Sequence, residues 1–144
     1  MARSCTLVLF ALLLLPAVPA KVSAQELPRE IDFSRHIVPT LYRLGCSAGE
    51  CHGAFAGKGG FRLSLFASRP DIDGLNLRGT MNRRIDPLHP ERSLLLRKPT
   101  EDHMGHGGGR RFATGSPEYR LLHRWIAEGA RTDSRQQHQL ASVR

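Results

Sequence analysis

The sequence predicts a mainly α-helical domain, with one amphipathic helix near each end and long loops between them. Apolar residues recur at spacings of three and four just before a cysteine pair and again near the C-terminus, which is typical of helices that bury one face. Many of the 14 glycines and 9 prolines lie between these two segments and favour turns there. No internal repeat is present, so we expect a single domain.

The first 24 residues have the pattern of a secretory signal peptide. Residues 7–15 form an apolar run too short to span a bilayer, and Val22-Ser23-Ala24 fits a small-x-small cleavage site. A retained membrane anchor is the weaker alternative, because the run is short and small residues follow it. We therefore expect cleavage after Ala24, a periplasmic or otherwise exported protein, and no transmembrane segment in the mature chain of 120 residues.

The first helix of the mature chain should begin after Asp32, a favourable N-cap, and run to about Leu44. The apolar positions that share its buried face are Ile37, Val38, Leu41 and Leu44. Pro39 should kink or delay this helix, and Gly45 is well suited to end it just before the cysteine pair.

The middle of the chain is less regular. Residues 53–60 form a glycine-rich loop, and the brief alternation at 61–66 predicts a short strand or an extended segment. Residues 67–90 contain turn formers and little periodicity, so no helix is expected there. A short helix is predicted at 91–98, followed by a loop at 103–109 with three consecutive glycines.

The last helix has the clearest start and stop signals. Ser116 is the predicted N-cap, Pro117 occupies the first helical position, and Glu118 suits the positive end of the helix. Its apolar face consists of Leu121, Leu122, Trp125 and Ile126, and Trp125 should pack in the core. Gly129 is a good terminator, and residues 132–144 form a polar tail that we expect to be disordered.

The stretch Cys46-Ser47-Ala48-Gly49-Glu50-Cys51-His52 carries the chemistry. Two thiols in one loop, with an imidazole directly after the second, suit covalent haem attachment, in which each thiol adds to a vinyl group and the histidine ligates the iron. The usual spacing has two residues between the cysteines, whereas here there are four, and Gly49 should ease the bulge. A small disulfide with a solvated His52 is an equally plausible interpretation, and a zinc or redox site a weaker one.

Composition limits the partners. The net charge is +8, or +6 without the basic Arg3 and Lys21 of the signal peptide, and arginine predominates. A basic surface can dock an acidic redox partner, an anionic glycan or a membrane face, but most of the charges are scattered singly, which favours a solvated surface. No nucleic-acid module is recognisable. Only 6% of residues are aromatic, so the core would be thin and a buried cofactor would add apolar volume.

Several ordered segments resemble the planctomycete-type cytochrome c domain, in a subgroup with the wider cysteine spacing and a His-Gly-Gly-Gly loop. These segments are Asp32-Phe33-Ser34-Arg35, Gly45-Cys46 to Cys51-His52-Gly53, Lys58 to Leu65, Asp86-Pro87, Pro90 to Leu95, His106 to Gly109 and Ser116 to Ala130. The resemblance covers roughly residues 31–131, which we predict to be the domain, after a flexible lead at 25–30. It implies a small c-type cytochrome fold, with N- and C-terminal helices packed over one covalently bound haem c.

The resemblance also implies roles for individual residues. Cys46 and Cys51 would form thioethers to the haem, and His52 would be the proximal ligand of the iron. His106 is the favoured distal ligand, because its following glycines allow the backbone to approach a flat cofactor. Met104 is the alternative, and it would raise the reduction potential relative to a second histidine. A third interpretation leaves His103 and His106 as solvated loop residues.

The resemblance thus implies an electron carrier rather than an enzyme, with a redox partner whose identity the sequence does not reveal. Arg62, Arg110 and Arg111 are candidates to pair with the haem carboxylates, since guanidinium groups suit carboxylates. Two alternatives stay open. One is a disulfide-linked, secreted basic binding module without haem. The other is a haem peroxidase or sensor with one open axial position.

Overall fold

The computed structural model describes residues 26–79, 84–101 and 105–132, which contain four α-helices and no strand. The helices are α1 (Val38–Arg43), α2 (Pro70–Arg78), α3 (Leu94–Thr100) and α4 (Pro117–Ala127). Single turns of π-helix or 3₁₀-helix lie at Phe33–Ile37, Lys58–Gly60, Leu65–Ala67 and Pro90–Arg92. The predicted mainly α class is therefore confirmed for this part of the chain.

Some predictions fall elsewhere. The signal peptide, Met104 and the tail from residue 133 lie outside the described residues, and the limits predicted for the lead and the domain stay predictions. In the ranges that the structure covers, no helix is long and apolar enough to cross a membrane. The segment at 61–66 is extended up to the turn Leu65–Ala67, and the helix predicted at 91–98 is present as a turn followed by α3.

The first helix begins and changes form where the sequence predicts. The Asp32 side chain accepts a hydrogen bond from the Arg35 N–H at 2.8 Å and so caps the π turn Phe33–Ile37. Val38 continues that turn by donating to the carbonyl five residues earlier. Pro39 has no N–H to donate, so the chain passes from the wider turn into α1 at this point. The predicted kink or delay at Pro39 thus takes the form of a π turn before the helix.

Helix α2 is a correction, because the segment 67–90 was predicted to contain no helix. Its first residue is a proline, which is favourable at that position and does not act as a breaker. The apolar stripe that would reveal the helix is missing, since its buried residues are Asp73, Gly74 and Leu77. A Cβ at Gly74 would lie 2.5 Å from Thr132 Cγ2, so glycine permits the close approach of this helix to Thr132.

One core joins the N-terminal segment to the C-terminal helix. The rings of Phe33 and Trp125 stack with centroids 5.5 Å apart, and the indole N–H donates to the Arg131 carbonyl at 2.9 Å. Trp125 thus packs in the core, as predicted. The buried residues of this core are Phe33, Ile37, Val38, Leu41, Leu63, Leu77, Ile85, Leu95, Leu96, Phe112, Leu122, Trp125, Ile126 and Ala130. Arg124 ties the chain further by donating to the carbonyls of Pro28 and Arg29.

Asp73 connects α2 to the segment that follows the cysteine loop. Its carboxylate accepts hydrogen bonds from the Ser64 N–H and from the Ser64 hydroxyl, the latter at 2.8 Å. The side chain is buried, and burial raises its pKa above the ordinary value of 3.8, against the opposing effect of the two Ser64 hydrogen bonds. The folded state therefore binds the Asp73 proton more tightly than the unfolded state.

This difference predicts a pH-dependent stability. A carboxyl whose folded pKa is raised contributes stability at low pH, and that contribution is lost as the pH rises through the folded pKa. The stability of the wild type relative to Asp73→Asn should therefore fall as the pH rises above about 3.8 towards neutrality. Urea unfolding from pH 4 to pH 7 measures it.

Asp71→Asn is the control for this experiment. It removes a carboxylate from the same helix, where Asp71 pairs with the largely exposed Arg69. The difference in the free energy of unfolding between the wild type and Asp71→Asn should show no comparable fall as the pH rises. A difference between wild type and Asp73→Asn that does not vary with pH would contradict the assignment.

Candidate functional site

The cysteine loop is closed by its own backbone. The His52 N–H donates to the Cys46 carbonyl at 3.0 Å, so the two ends of the motif lie side by side. Within the loop, the N–H groups of Cys51 and Gly53 both donate to the Ala48 carbonyl, at 3.0 and 2.9 Å. The two additional residues between the cysteines are thereby taken up in a compact turn.

Two glycines permit this loop: Gly45, which ends the first helix as predicted, and Gly53, which was not predicted. Gly49 was predicted to ease the bulge, but its backbone lies outside the left-handed region that favours glycine. Gly45 has φ +76° and lets the chain turn away from α1. A Cβ at Gly53 would lie 2.2 Å from the Ser47 carbonyl oxygen, so only glycine fits there.

Both cysteines are free thiols in the structure. Cys51 is buried and Cys46 half-buried. Burial raises the pKa of the Cys46 thiol to about 11, although the charge of Arg111 opposes this, so the thiol is protonated at neutral pH. The described residues hold no group of three or more His, Cys, Asp or Glu arranged to bind a metal ion.

His52 has the protonation that a ligand needs. Its Nδ1 lies 3.0 Å from the Phe61 carbonyl oxygen, which can only accept, so the proton sits on Nδ1 and Nε2 keeps its lone pair. The Phe61 ring packs against the imidazole with centroids 4.6 Å apart. Burial lowers the pKa of His52, and the charge of nearby His106 adds to this effect. His52 is therefore neutral at neutral pH.

His106, in the loop between α3 and α4, is also held by a backbone carbonyl. Its Nδ1 lies 2.8 Å from the Gly109 carbonyl oxygen, so the backbone contact again involves Nδ1 rather than Nε2. The rings of His52 and His106 are nearly parallel, with an angle of 18° between their planes and 6.3 Å between their centroids. An imidazole nitrogen lies ~1.2 Å from its ring centroid and binds a transition metal at ~2.0 Å, so two imidazoles on opposite sides of one metal have centroids ~6.4 Å apart. The observed separation of 6.3 Å is compatible with that value, which also requires each Nε2 to point at the metal.

These residues line one cavity of about 630 Å³. Both cysteines and both histidines contribute to its wall, together with apolar groups of Phe61 and of Leu94, Leu95 and Pro99 in and beside α3. The cationic residues that line it are Lys58, Arg62, Arg84, Lys98 and Arg111. None of the described side chains on the wall is a carboxylate. The cavity thus suits a large, mostly apolar molecule that carries negative charge.

One further group on the wall indicates a bound molecule. The Nδ2 of Asn76 is buried and has no hydrogen-bond partner among the described residues. An unpaired buried donor costs about 1–3 kcal/mol, so an acceptor on an occupant of the cavity would stabilise it. A haem fits all of these features, because it has a flat apolar body, two carboxylates and an iron that needs only two axial ligands from the protein.

Arg111 joins the two halves of the site. Its Nη2 lies 3.7 Å from Cys51 Sγ, and its guanidinium would contact a Cβ at either Gly45 or Gly108. Of the three arginines predicted to face haem carboxylates, Arg62 and Arg111 line the cavity, whereas Arg110 does not. Sequence reasoning missed Lys58, Arg84, Lys98 and Asn76, because no motif marks them and three of the four come from segments distant from the cysteines.

The structure therefore brings together Cys46, Cys51, His52 and His106, while the alternative ligand Met104 and its neighbour His103 lie outside the described residues. No family model matches the chain, and comparisons with curated proteins and with solved structures find no match either. The assignment of a cofactor thus depends on the geometry of the cavity and on the sequence pattern.

The contact at Gly53 gives a test of the loop. Gly53→Ala should lower the free energy of unfolding by about 1–3 kcal/mol, because the new Cβ meets the backbone of the same loop. Gly107→Ala is the matched control, since a Cβ there meets no atom within 4 Å and the backbone is not left-handed. Urea unfolding of both variants measures the difference, and equal losses would contradict the proposed close contact.

Proposed function

We propose that this chain is an exported, mono-haem c-type cytochrome that carries single electrons. The observation that carries the proposal is the pair of nearly parallel imidazoles, His52 and His106, with centroids 6.3 Å apart on a cavity that both thiols also line. The resemblance to the planctomycete-type cytochrome c domain supports it independently, since the same four residues occupy matching positions in the motifs.

Each residue has a defined task in this proposal. Cys46 and Cys51 would hold the macrocycle through thioethers to its two vinyl groups. His52 and His106 would hold the iron through Nε2, while their Nδ1 atoms contact the carbonyls of Phe61 and Gly109. When bound, the haem supplies the one-electron change between ferric and ferrous iron.

The wall of the cavity adjusts the environment of that iron. The side chains of Leu94, Leu95 and Phe61 exclude water from one region of it. The cationic residues offset the charge of the two haem carboxylates, and Asn76 can donate its unpaired N–H to an acceptor of the cofactor. A ligand pair of two histidines gives a lower reduction potential than a His/Met pair.

Carrier function is favoured over peroxidase function by the same geometry. If His52 and His106 both bound the iron of a haem, they would leave no position on it for peroxide or a small ligand. The basic composition, with a net charge of +6 after removal of the predicted signal peptide, suits an acidic redox partner. Export follows from the signal-peptide pattern of residues 1–24, and covalent haem attachment in bacteria takes place outside the cytoplasm.

Covalent haem is the first prediction to test. The chain, expressed with its signal in a host that attaches haem, should give a c-type pyridine haemochrome band that survives denaturation. The Cys46→Ala, Cys51→Ala double variant should lose the band completely, because no thioether can form. Ser47→Ala is the matched control in the same loop and should keep it, since the Ser47 hydroxyl has no partner among the described residues.

The alternative outcome is equally informative. Absence of the band, in a host that loads a control cytochrome, would contradict the proposal. A Cys46–Cys51 disulfide in that protein would instead support the basic binding module without haem.

The distal ligand gives a separate prediction. His106→Ala should convert a low-spin, six-coordinate spectrum into a high-spin spectrum that responds to added imidazole, because one axial position opens. Met104→Ala should leave the low-spin spectrum unchanged. The reverse pattern would assign the position to Met104, and a high-spin spectrum in the wild type would favour a peroxidase or sensor.

A further inference from the structure

Arg84 lies at the end of a short chain of contacts that reaches the candidate proximal ligand. Its guanidinium carbon is 4.7 Å from the centroid of the Phe61 ring, within the range of a cation–π interaction. The same Phe61 ring packs against His52 with centroids 4.6 Å apart. Phe61 also supplies the carbonyl that accepts the His52 Nδ1 proton at 3.0 Å. One residue therefore both packs against the imidazole and orients it.

The segment that carries Phe61 is held at both ends by backbone hydrogen bonds, from the Lys58 N–H to the Cys51 carbonyl and from the Leu63 N–H to the His52 carbonyl. The turn Lys58–Gly60 contains two consecutive glycines with left-handed backbones, at φ +61° and +68°, and the space beside each is open. Arg84 restrains this turn, because its Nη2 donates to the Gly60 carbonyl at 2.7 Å. It thus holds both the turn and the aromatic ring that follows it.

Arg84 is itself anchored to a rigid element. Its carbonyl accepts a hydrogen bond at 3.0 Å from the N–H of Leu95, in the first turn of α3. The contacts therefore run from α3 through Arg84 and Phe61 to His52. Other arginines of the cavity are arranged differently: Arg62 lies 5.7 Å from the Phe55 ring and donates to the Phe55 carbonyl.

We propose that Arg84 is a positioning residue for His52, which fixes the imidazole through Phe61 and raises the reduction potential through its charge. The inference rests on the proposed haem function. The guanidinium clamps Phe61, so the Nδ1–H bond keeps its length and direction and the ring keeps its orientation. A positive charge beside the site disfavours the ferric state, because that state carries one more positive charge than the ferrous state.

The experiment uses the haem-loaded protein and three variants. Arg84→Met removes the clamp and the charge, Arg84→Lys keeps the charge with a different geometry, and Arg62→Met removes a charge from the same cavity without touching Phe61. NMR of the reduced protein gives the exchange rate of the His52 Nδ1 proton, and redox titration gives the potential. Thermal unfolding of each variant shows that it is folded.

In Arg84→Met, the His52 Nδ1 proton should exchange about five to ten times faster than in the wild type, because Arg84 no longer restrains the Phe61 carbonyl that accepts it. The reduction potential of this variant should fall. Arg62→Met should lower the potential without changing the exchange rate. Arg84→Lys should have a reduction potential close to that of the wild type, since a positive charge remains. Its His52 Nδ1 proton should exchange faster than in the wild type, because an ammonium group cannot stack on Phe61 and bind the Gly60 carbonyl at the same time.

Two failures can be told apart. If the wild type carries covalent haem but Arg84→Met matches it in exchange rate and potential, the inference about Arg84 is wrong and the proposed function stands. If the wild type carries no haem under conditions that load a control cytochrome, the proposed function and the inference fail together. Equal acceleration of exchange in Arg84→Met and Arg62→Met would also overturn the inference, since it would indicate a general loosening of the cavity.

Discussion

The hydrogen bond from the His52 N–H to the Cys46 carbonyl is the constraint on which the site depends. It closes the cysteine loop on itself, so two thiols and an imidazole separated by up to six positions face the same cavity. The close approach of Gly53 to the Ser47 carbonyl is part of the same closure, because a larger residue would hold the loop open. The four-residue spacing between the cysteines is thereby compatible with one compact site.

The two histidines are related by a common device rather than by a common element. His52 follows the cysteine loop after α1, and His106 lies in the glycine-rich loop between α3 and α4. In each of them, Nδ1 makes a hydrogen bond with a backbone carbonyl. Backbone acceptors cannot change their protonation, so they fix one tautomer firmly. In both rings the backbone contact involves Nδ1 and leaves Nε2 to face other groups, and the ring planes are nearly parallel.

Stability and chemistry are divided between two regions of the molecule. The stacked pair of Phe33 and Trp125 lies in the core, where the N-terminal segment meets α4, and neither ring lines the cavity. The cavity wall is instead polar at many points and carries positive charge without a described carboxylate to offset it. Such a surface would be stabilised by a bound anion, and the unpaired donor of Asn76 lies on the same wall.

The sequence by itself determined the features that depend on neighbouring residues. The cap at Asp32, the delay at Pro39 and the start of α4 at Ser116 are local, so a short window contains all the information, and the Cys46–His52 motif is local as well. Only the tertiary structure decided that α2 is a helix, since the apolar stripe that would predict it is missing and Gly74 permits its close approach to Thr132. The tertiary structure was also needed to place Arg84 and Asn76 on the cavity. Contacts between residues that are distant in the chain depend on how the elements pack, and no local sequence pattern contains that information.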